Sequence, residues 1–537
     1  LAGGRAACGS GIFDDLNIEQ QNKEFRILKL GGSPPFGIRD VFSCTMQQGQ
    51  PPEGGDHKTH AMKHLTFFLF LPLFSHAQLY TNASNNLPDN GAMGQTMDVR
   101  AADLDGDGDL DLVLANEFQP NTILLNDGNG VFTNGTAGNL PQENHDSEDV
   151  AIADFNGDGH LDLVFCSEDD VTLGWTNVHE FYLGDGAGHF TAASYQPPDS
   201  EANAVMTADL NNDGLPDLLF GNKGPNLALI NSGNGTFTAE TQRIPQTFRT
   251  TQDLAMADVD GDGDLDLMEG NEDGNLLHIN NGSGYFTNET DTRLPQNLNI
   301  ETRKVAFGDV DSDGDVDIFL SNVGFIPGRI RQNRLFLNDG TGHFTDATAT
   351  QLPTDNDHTI DAIFEDVDLD GDLDIVVSNV FGAPVKIYRN DGTGTFADAT
   401  TDVLGQNYFR DALGVIAADF NGDGLRDLYI CDRKNPQTNN KDLLLLRNPL
   451  TALENADSKQ PVVIVFPNPV SGDFYIKTNL KIPDTLKLND SAGRIVYNFT
   501  PESQGEGLFH CPLPKGKLAV GVYFIEIGKM RKLLIVA

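Results

Sequence analysis

The sequence predicts an all-β fold: a seven-bladed β-propeller with Asp-rich loops, followed by a small Ig-like β-sandwich. Three observations carry this. A nine-residue pattern, D-x-[DN]-x-D-G-x-x-D, occurs seven times between Asp103 and Asp427, with starts 49 to 57 residues apart. Each copy is flanked by short apolar runs, and each of the first six is followed by another apolar run that turns through Asn, Asp and Gly into an aromatic residue. A period near fifty residues is that of a stacked supersecondary unit, and four short strands per period is a propeller blade.

In the first four loops, positions 1, 3, 5 and 9 are Asp103, Asp105, Asp107 and Asp111; Asp154, Asn156, Asp158 and Asp162; Asp209, Asn211, Asp213 and Asp217; and Asp258, Asp260, Asp262 and Asp266. The last three supply Asp309, Asp311, Asp313 and Asp317; Asp366, Asp368, Asp370 and Asp374; and Asp419, Asn421, Asp423 and Asp427. Carboxylates within about 5 Å of one another repel by roughly 3 kcal/mol per pair at an effective dielectric near 20. A cation offsets that repulsion. An all-oxygen donor set without Cys suits Ca²⁺, which tolerates irregular geometry better than Mg²⁺ does, so up to seven calcium ions are expected.

Position 6 is Gly in every copy, where the chain must turn sharply enough for both ends to face one ion. Position 7 would offer its carbonyl, so its side chain is free to vary: Asp109, His160, Leu215, Asp264, Asp315, Asp372 and Leu425. An EF-hand would need flanking helices and a Glu at position 12. Here position 12 is a strand residue such as Leu114, Phe165 or Phe220.

The flanks supply the strands. Upstream runs such as Val99 to Leu104 and downstream runs such as DLVLAN from Asp111 are short, apolar and turn-bounded. The third and fourth strands follow as LLNDGNGVF from Leu124 or FLNDGTGHF from Phe336, with Asn-Gly or Asp-Gly hairpin turns. A small residue four past each ninth position (Ala115, Cys166, Gly221, Gly270, Ser321, Ser378, Cys431) implies a crowded packing site shared by all blades. The seventh repeat lacks its outer strand, whereas LYTNASNNLP from Leu79 matches that strand's motif ahead of the first repeat. It is expected to pair into the last blade and close the ring, removing an open edge.

From Leu79 to Pro449 these repeats resemble FG-GAP/VCBS repeats, similar to those of integrin α subunits. The resemblance implies a calcium-binding propeller with its metal loops on one face and partners on the other.

The remaining segments give an address. Residues 1–61 lack periodicity and are read as an upstream segment, disordered and outside the fold. Residues 62–77, MKHLTFFLFLPLFSHA, have a basic start, an apolar core of about ten residues and a small-residue exit at Ala77, which reads as a signal peptide too short to span a membrane. The propeller is assigned to 78–449 and a linker to 450–461. Residues 462–537 carry FPNPVSGDFYI from Phe466, LNDSAGRIVYN from Leu488, GVYFIEI from Gly521 and a terminal KLLIVA. They resemble the type A C-terminal sorting domain of the type IX secretion system of Bacteroidetes. That resemblance implies contact with the secretion machinery and a secreted or outer-membrane-associated protein without a membrane span in its mature form.

A net charge of −44 argues against nucleic acid and anionic membrane surfaces as partners. Cys166, Cys431 and Cys511 are expected as buried small residues without a disulfide. No catalytic motif is recognisable, and no catalytic residue is assigned. Two longer connections after a second strand stand out: SEDDVTLGWTNVHE, with the single Trp175, and SNVGFIPGRIRQNR, with Phe325, Arg329, Arg331 and Arg334. Aromatic and guanidinium groups on the face away from the metal loops could grip a glycan or an acidic peptide. Asp98, Asp149, Asp253 and Asp361, each five residues ahead of a loop, read as solvated carboxylates near the channel mouth. The expected function is a monomeric adhesion or glycan/protein-binding module; the alternative is an extracellular polysaccharide lyase or hydrolase.

Overall fold

The computed structural model describes residues 78–449, except 90–93, 297 and 434–440, together with the strands and some connections of 463–536. The expected signal peptide at 62–77, the segment 1–61 and the linker 450–461 lie outside the described residues. Between Tyr80 and Arg447 the strands form seven antiparallel groups of four. In each group the innermost strand runs into an Asp-rich loop and the second strand begins at the loop's ninth residue. Thr96–Ala102 leads to Asp111–Gln119 in the first group, and Ala412–Ala418 to Asp427–Asp432 in the last. A third strand returns, and a tight turn opens a three-residue fourth strand such as Phe132–Asn134 or Phe396–Asp398. The first two groups are also joined edge to edge by the pairing of Glu117 with Asp146.

The second strands read as unbroken apolar runs because both of their faces are covered; Asp162–Ser167 and Asp217–Asn222 are buried throughout. The core accordingly lies between neighbouring blades. Phe155 and Phe181 pack against Phe220 and Phe237 at one such boundary, and each phenyl ring buried this way contributes about 1.5–3 kcal/mol. The ring of innermost strands is closed, with Ala412–Ala418 against Thr96–Ala102. Its last boundary is a cluster of Leu112, Leu124 and Phe132 with Phe420, Tyr429 and Leu444.

The missing outer strand of the last blade comes from the start of the described residues, as its motif predicts. Tyr80–Asn82 pairs antiparallel with Leu443–Arg447, placing Tyr80 opposite Arg447, whose guanidinium lies over the phenol ring at 5.1 Å from its centroid. A side-chain bond from Asn126 Nδ2 to the Phe420 carbonyl, 2.8 Å, ties the first blade to the last. The column of small residues is crowded as expected: a Cβ on Gly221 would come 3.0 Å from Thr251 Cγ2 of the next blade. Cys166, Cys431 and Cys511 are free and buried.

Residues 463–536 form two further four-stranded sheets. One orders Val463–Phe466, Phe474–Thr478, Leu508–Cys511 and Glu502–Gly505; the other orders Ile495–Phe499, Leu486–Asp490, Gly521–Ile527 and Met530–Val536. The last strand pairs along its whole length with Gly521–Ile527.

Candidate metal loops and ligand face

Each Asp-rich loop is organised by its own backbone. The position 1 carboxylate accepts the amide N–H of the position 6 glycine at 2.8–3.1 Å in all seven copies, and that glycine sits at φ between 84° and 101°, where a Cβ would be strained. The position 5 carboxylate accepts the N–H of position 7. Position 9 does more than the sequence implies. Its buried carboxylate clamps two backbone amides, position 2 at 2.9–3.1 Å and the end of the third strand at 2.6–2.9 Å. One side chain thus fixes the loop and the strand beside it.

These loops fit a hard cation. Carboxylate oxygens of Asp103, Asp105 and Asp111, of Asp258, Asp260 and Asp262, of Asp309, Asp311 and Asp317, and of Asp366, Asp368 and Asp374 converge within 4.8 Å of one another. The other three loops carry Asn at position 3 in place of one carboxylate. At Asp260, Asp311 and Asp368 the same position 3 leaves one buried oxygen, Oδ1, without a hydrogen-bond partner among the described residues, and a buried acceptor of that kind calls for a proton or an ion. Burial lifts the position 9 carboxyls: Asp111, Asp162, Asp266 and Asp317 to about 6, Asp427 to about 7 and Asp374 to about 8. Burial and then the neighbouring Asp370 lift Asp368 to about 6. Position 4 is also left-handed, with φ between 60° and 79°, including the non-glycine residues Asn212, Ser312 and Leu369.

The opposite rim is built differently. Trp175, Phe248, Phe325, Phe381 and Phe409 lie in connections at the end of the strands away from the metal loops, Phe118 lies near the same end of the Asp111–Gln119 strand, and all are exposed, Phe248 to 87 % and Phe381 to 71 %. Phe118 and Phe381 occupy the same repeat position, and both hold positive φ, 54° and 59°, an uncommon conformation for a bulky residue. The residues expected to form a ligand site are only partly brought together. Phe325 stacks on His358 at 5.2 Å and meets Phe381 at 5.5 Å, with the Arg303 guanidinium 4.8 Å from its ring centre. Arg331 donates to His358 at 3.1 Å. Arg329 donates to Asn299 and Arg334 to Asp346, so these arginines are committed to the fold. Trp175 packs edge-on against His145, and no described contact joins it to Phe325 or the arginines.

The four aspartates ahead of the loops are not solvated; that expectation fails. Arg100 bridges Asp98 and Asp149 at 2.7 and 2.8 Å, and Lys304 reaches Asp253 at 3.2 Å. Asp149, Asp253 and Asp361 each accept the backbone N–H of the next blade, from Val205, Val305 and Val415. They are inter-blade fasteners in the lining of a central cavity of about 400 Å³. Its wall includes a feature absent from the sequence reading. Every innermost strand carries a β-bulge six residues before its loop, and the bulged side chains face the cavity. A bulge re-aims a side chain without altering composition. The only signal was that this column varies while its neighbours repeat.

Blades each organised by an Asp-rich loop around a central well, with an aromatic rim opposite, define an Asp-loop β-propeller. A family model described as the FG-GAP-like repeat matches residues 80–165, 209–269, 258–320, 325–377 and 366–430, and the chain belongs to that family. A second model, the secretion system C-terminal sorting domain, matches residues 464–536. That domain marks the chain for export to the cell surface or medium and implies contact with the secretion machinery. Among the described residues no helix is long and apolar enough to cross a membrane.

A stretch of 119 residues is 31 % identical to cartilage acidic protein 1 of Mus musculus, and a 119-residue match to that of Homo sapiens is equally identical. Each covers 21 % of this chain and 17 % of the relative, so the match spans under a fifth of those proteins. A solved lectin of Agrocybe aegerita, described as recognising non-reducing terminal N-acetylglucosamine, has a TM-score of 0.39 and 17 % identity, covering 64 % of this chain and 87 % of that one.

Proposed function

We propose that this chain is a secreted or cell-surface calcium-binding propeller that acts as a monomeric adhesion or glycan/protein-binding module, exported by the type IX machinery after loss of its signal peptide near Ala77. The observation that carries the binding reading is the gathering of exposed aromatic rings on the rim away from the metal loops, two of them at positive φ. Exposed apolar surface concentrated on one side of a soluble protein marks an interaction surface, and strained backbone tends to be kept where it serves function.

Calcium would be held by the carboxylates of positions 1, 3, 5 and 9, or Asn at position 3, with the carbonyl of position 7. It supplies positive charge to groups that otherwise repel one another. The chain's own residues do the rest: position 1 sets the turn, position 9 clamps the adjoining strand, and the inter-blade cores hold the rim rigid.

The test is a glycan and protein array probed with the full chain in calcium, beside a turnover assay on neutral and acidic polysaccharides. Saturable binding without product release is expected. Product release would support the enzymatic alternative, and an array without any binding would overturn the module reading.

A further inference from the structure

The seven bulges place seven different side chains around one well. On the side of the last two blades and the first, the bulged residues are apolar: Ile360, Leu413 and Met97. Phe381 and Val380 extend that wall toward the mouth. On the side of the second to fifth blades they are polar: Glu148, Asn203, Gln252 and Arg303. The well is therefore two-faced, apolar along one arc and hydrogen-bonding along the other.

Parts of the polar arc are already committed. Arg303 donates to Gln252 Oε1 at 2.6 Å and to Glu301 and Glu272 at 2.9 and 3.3 Å. Two groups are not. Asn203 is 8 % exposed, yet its amide nitrogen has no hydrogen-bond partner, and Glu148 makes no hydrogen bond or ion pair among the described residues. A buried amide donor without an acceptor is unusual enough to require a reason. The carboxylates of the lining, Asp98, Glu117, Glu148 and Glu168 among them, outnumber its cations Arg303, Lys304 and Arg433.

We propose that this central well is a binding site for a neutral sugar unit at the end or edge of a glycan, and that the bulged residues set its selectivity. A pyranose has one face of C–H groups and a perimeter of hydroxyls, which matches an apolar arc opposite a polar one. Asn203 donates to a ring or hydroxyl oxygen, Glu148 accepts from a hydroxyl, and the Ile360, Leu413 and Phe381 side chains cover the C–H face. The volume, about 400 Å³, is that of a small-ligand site. The excess of carboxylate disfavours uronates and sulfated sugars. Of the glycan and the acidic peptide that the sequence suggested, this inference takes the glycan, because the arginines bond Asn299, His358 and Asp346. The inference rests on the binding-module reading and narrows it.

The experiment compares the full chain in calcium on immobilised mannan, laminarin, galactomannan and chito-oligosaccharides with heparin, alginate and polygalacturonate, then repeats the measurement with variants. Saturable binding to at least one neutral probe and none to the acidic set is expected. Phe381→Ala, at an exposed position, and Asn203→Leu should each weaken it by about tenfold or more, while Tyr285→Ala on the metal-loop rim leaves it unchanged. Should Asn203→Leu fail to fold, Phe381→Ala decides alone. Binding confined to acidic glycans or to proteins overturns this inference but leaves the module reading intact. So does loss of neutral-glycan binding on Trp175→Ala with full affinity in both well variants. An array without any binding overturns both.

Discussion

The rim of Asp-rich loops and the rim opposite it are built from the same strands, yet they tolerate change very differently. At the first rim every copy repeats the same bonds: position 1 to the position 6 amide, position 5 to position 7, position 9 to two amides. At the other rim the bulge positions share only their backbone; their side chains are Met97, Glu148, Asn203, Gln252, Arg303, Ile360 and Leu413. Uniform bonding holds the strands of each blade in register, and that register presents a varied surface at a fixed place. On the proposed reading, stability belongs to one rim and selectivity to the other.

Removing calcium should have the largest effect. Each site held at a hundredfold its Kd contributes about 2.7 kcal/mol, so EGTA is expected to lower the melting temperature sharply, as read by calorimetry at constant protein concentration. Next comes Asp374→Ala, which leaves the Val367 and Asn390 amides without their acceptor. At about 1–3 kcal/mol for each buried unsatisfied group, the loss by urea unfolding is about 2–6 kcal/mol even in EGTA, because these bonds do not involve the ion.

A titration probes the second rim by itself. At the rim away from the loops, burial raises the Glu180 and Asp442 carboxyls to about 7, against about 4 when unfolded. The fold therefore binds protons that the unfolded chain releases, and their contribution, present below about pH 4, is lost as the pH rises to about 7. Glu180→Gln combined with Asp442→Asn should flatten that decline, by on the order of 1–3 kcal/mol between pH 5 and 8; an unchanged slope would refute it. Leu369→Gly relieves a left-handed residue at φ 63° and should stabilise the sixth loop by about 1 kcal/mol. Smallest of all, Phe381→Ala should leave stability within about 0.5 kcal/mol of wild type, whatever it does to binding.

Much of the first rim was legible in the sequence because its chemistry is local. A carboxylate that bonds an amide five residues away leaves a fixed spacing, and so does a glycine held at positive φ. Ring closure was legible too, since Tyr80–Asn82 copies the outer-strand motif. Position 9 was read only as a metal ligand, because its second task joins residues up to 22 apart. The second rim was harder to read. Trp175 and Phe325 stood out by type, but whether the arginines were free depended on Asn299, Asp346 and His358, which only the fold brings near. Asp98, Asp149, Asp253 and Asp361 looked solvated because their partners, Arg100, Lys304 and the amides of the next blade, are mostly some fifty residues distant. A bulge has no composition of its own, so the well remained invisible.

Hydrogen–deuterium exchange of the full chain, with calcium and with EGTA, tests the division of the two rims most directly. Calcium should slow exchange in the loops from Asp103–Asp111 to Asp419–Asp427 and at the third-strand ends that position 9 clamps. The connections that carry Trp175, Phe325 and Phe381 should exchange alike in both conditions. Calcium protection centred on those connections, or none at the Asp-rich loops, would contradict the account.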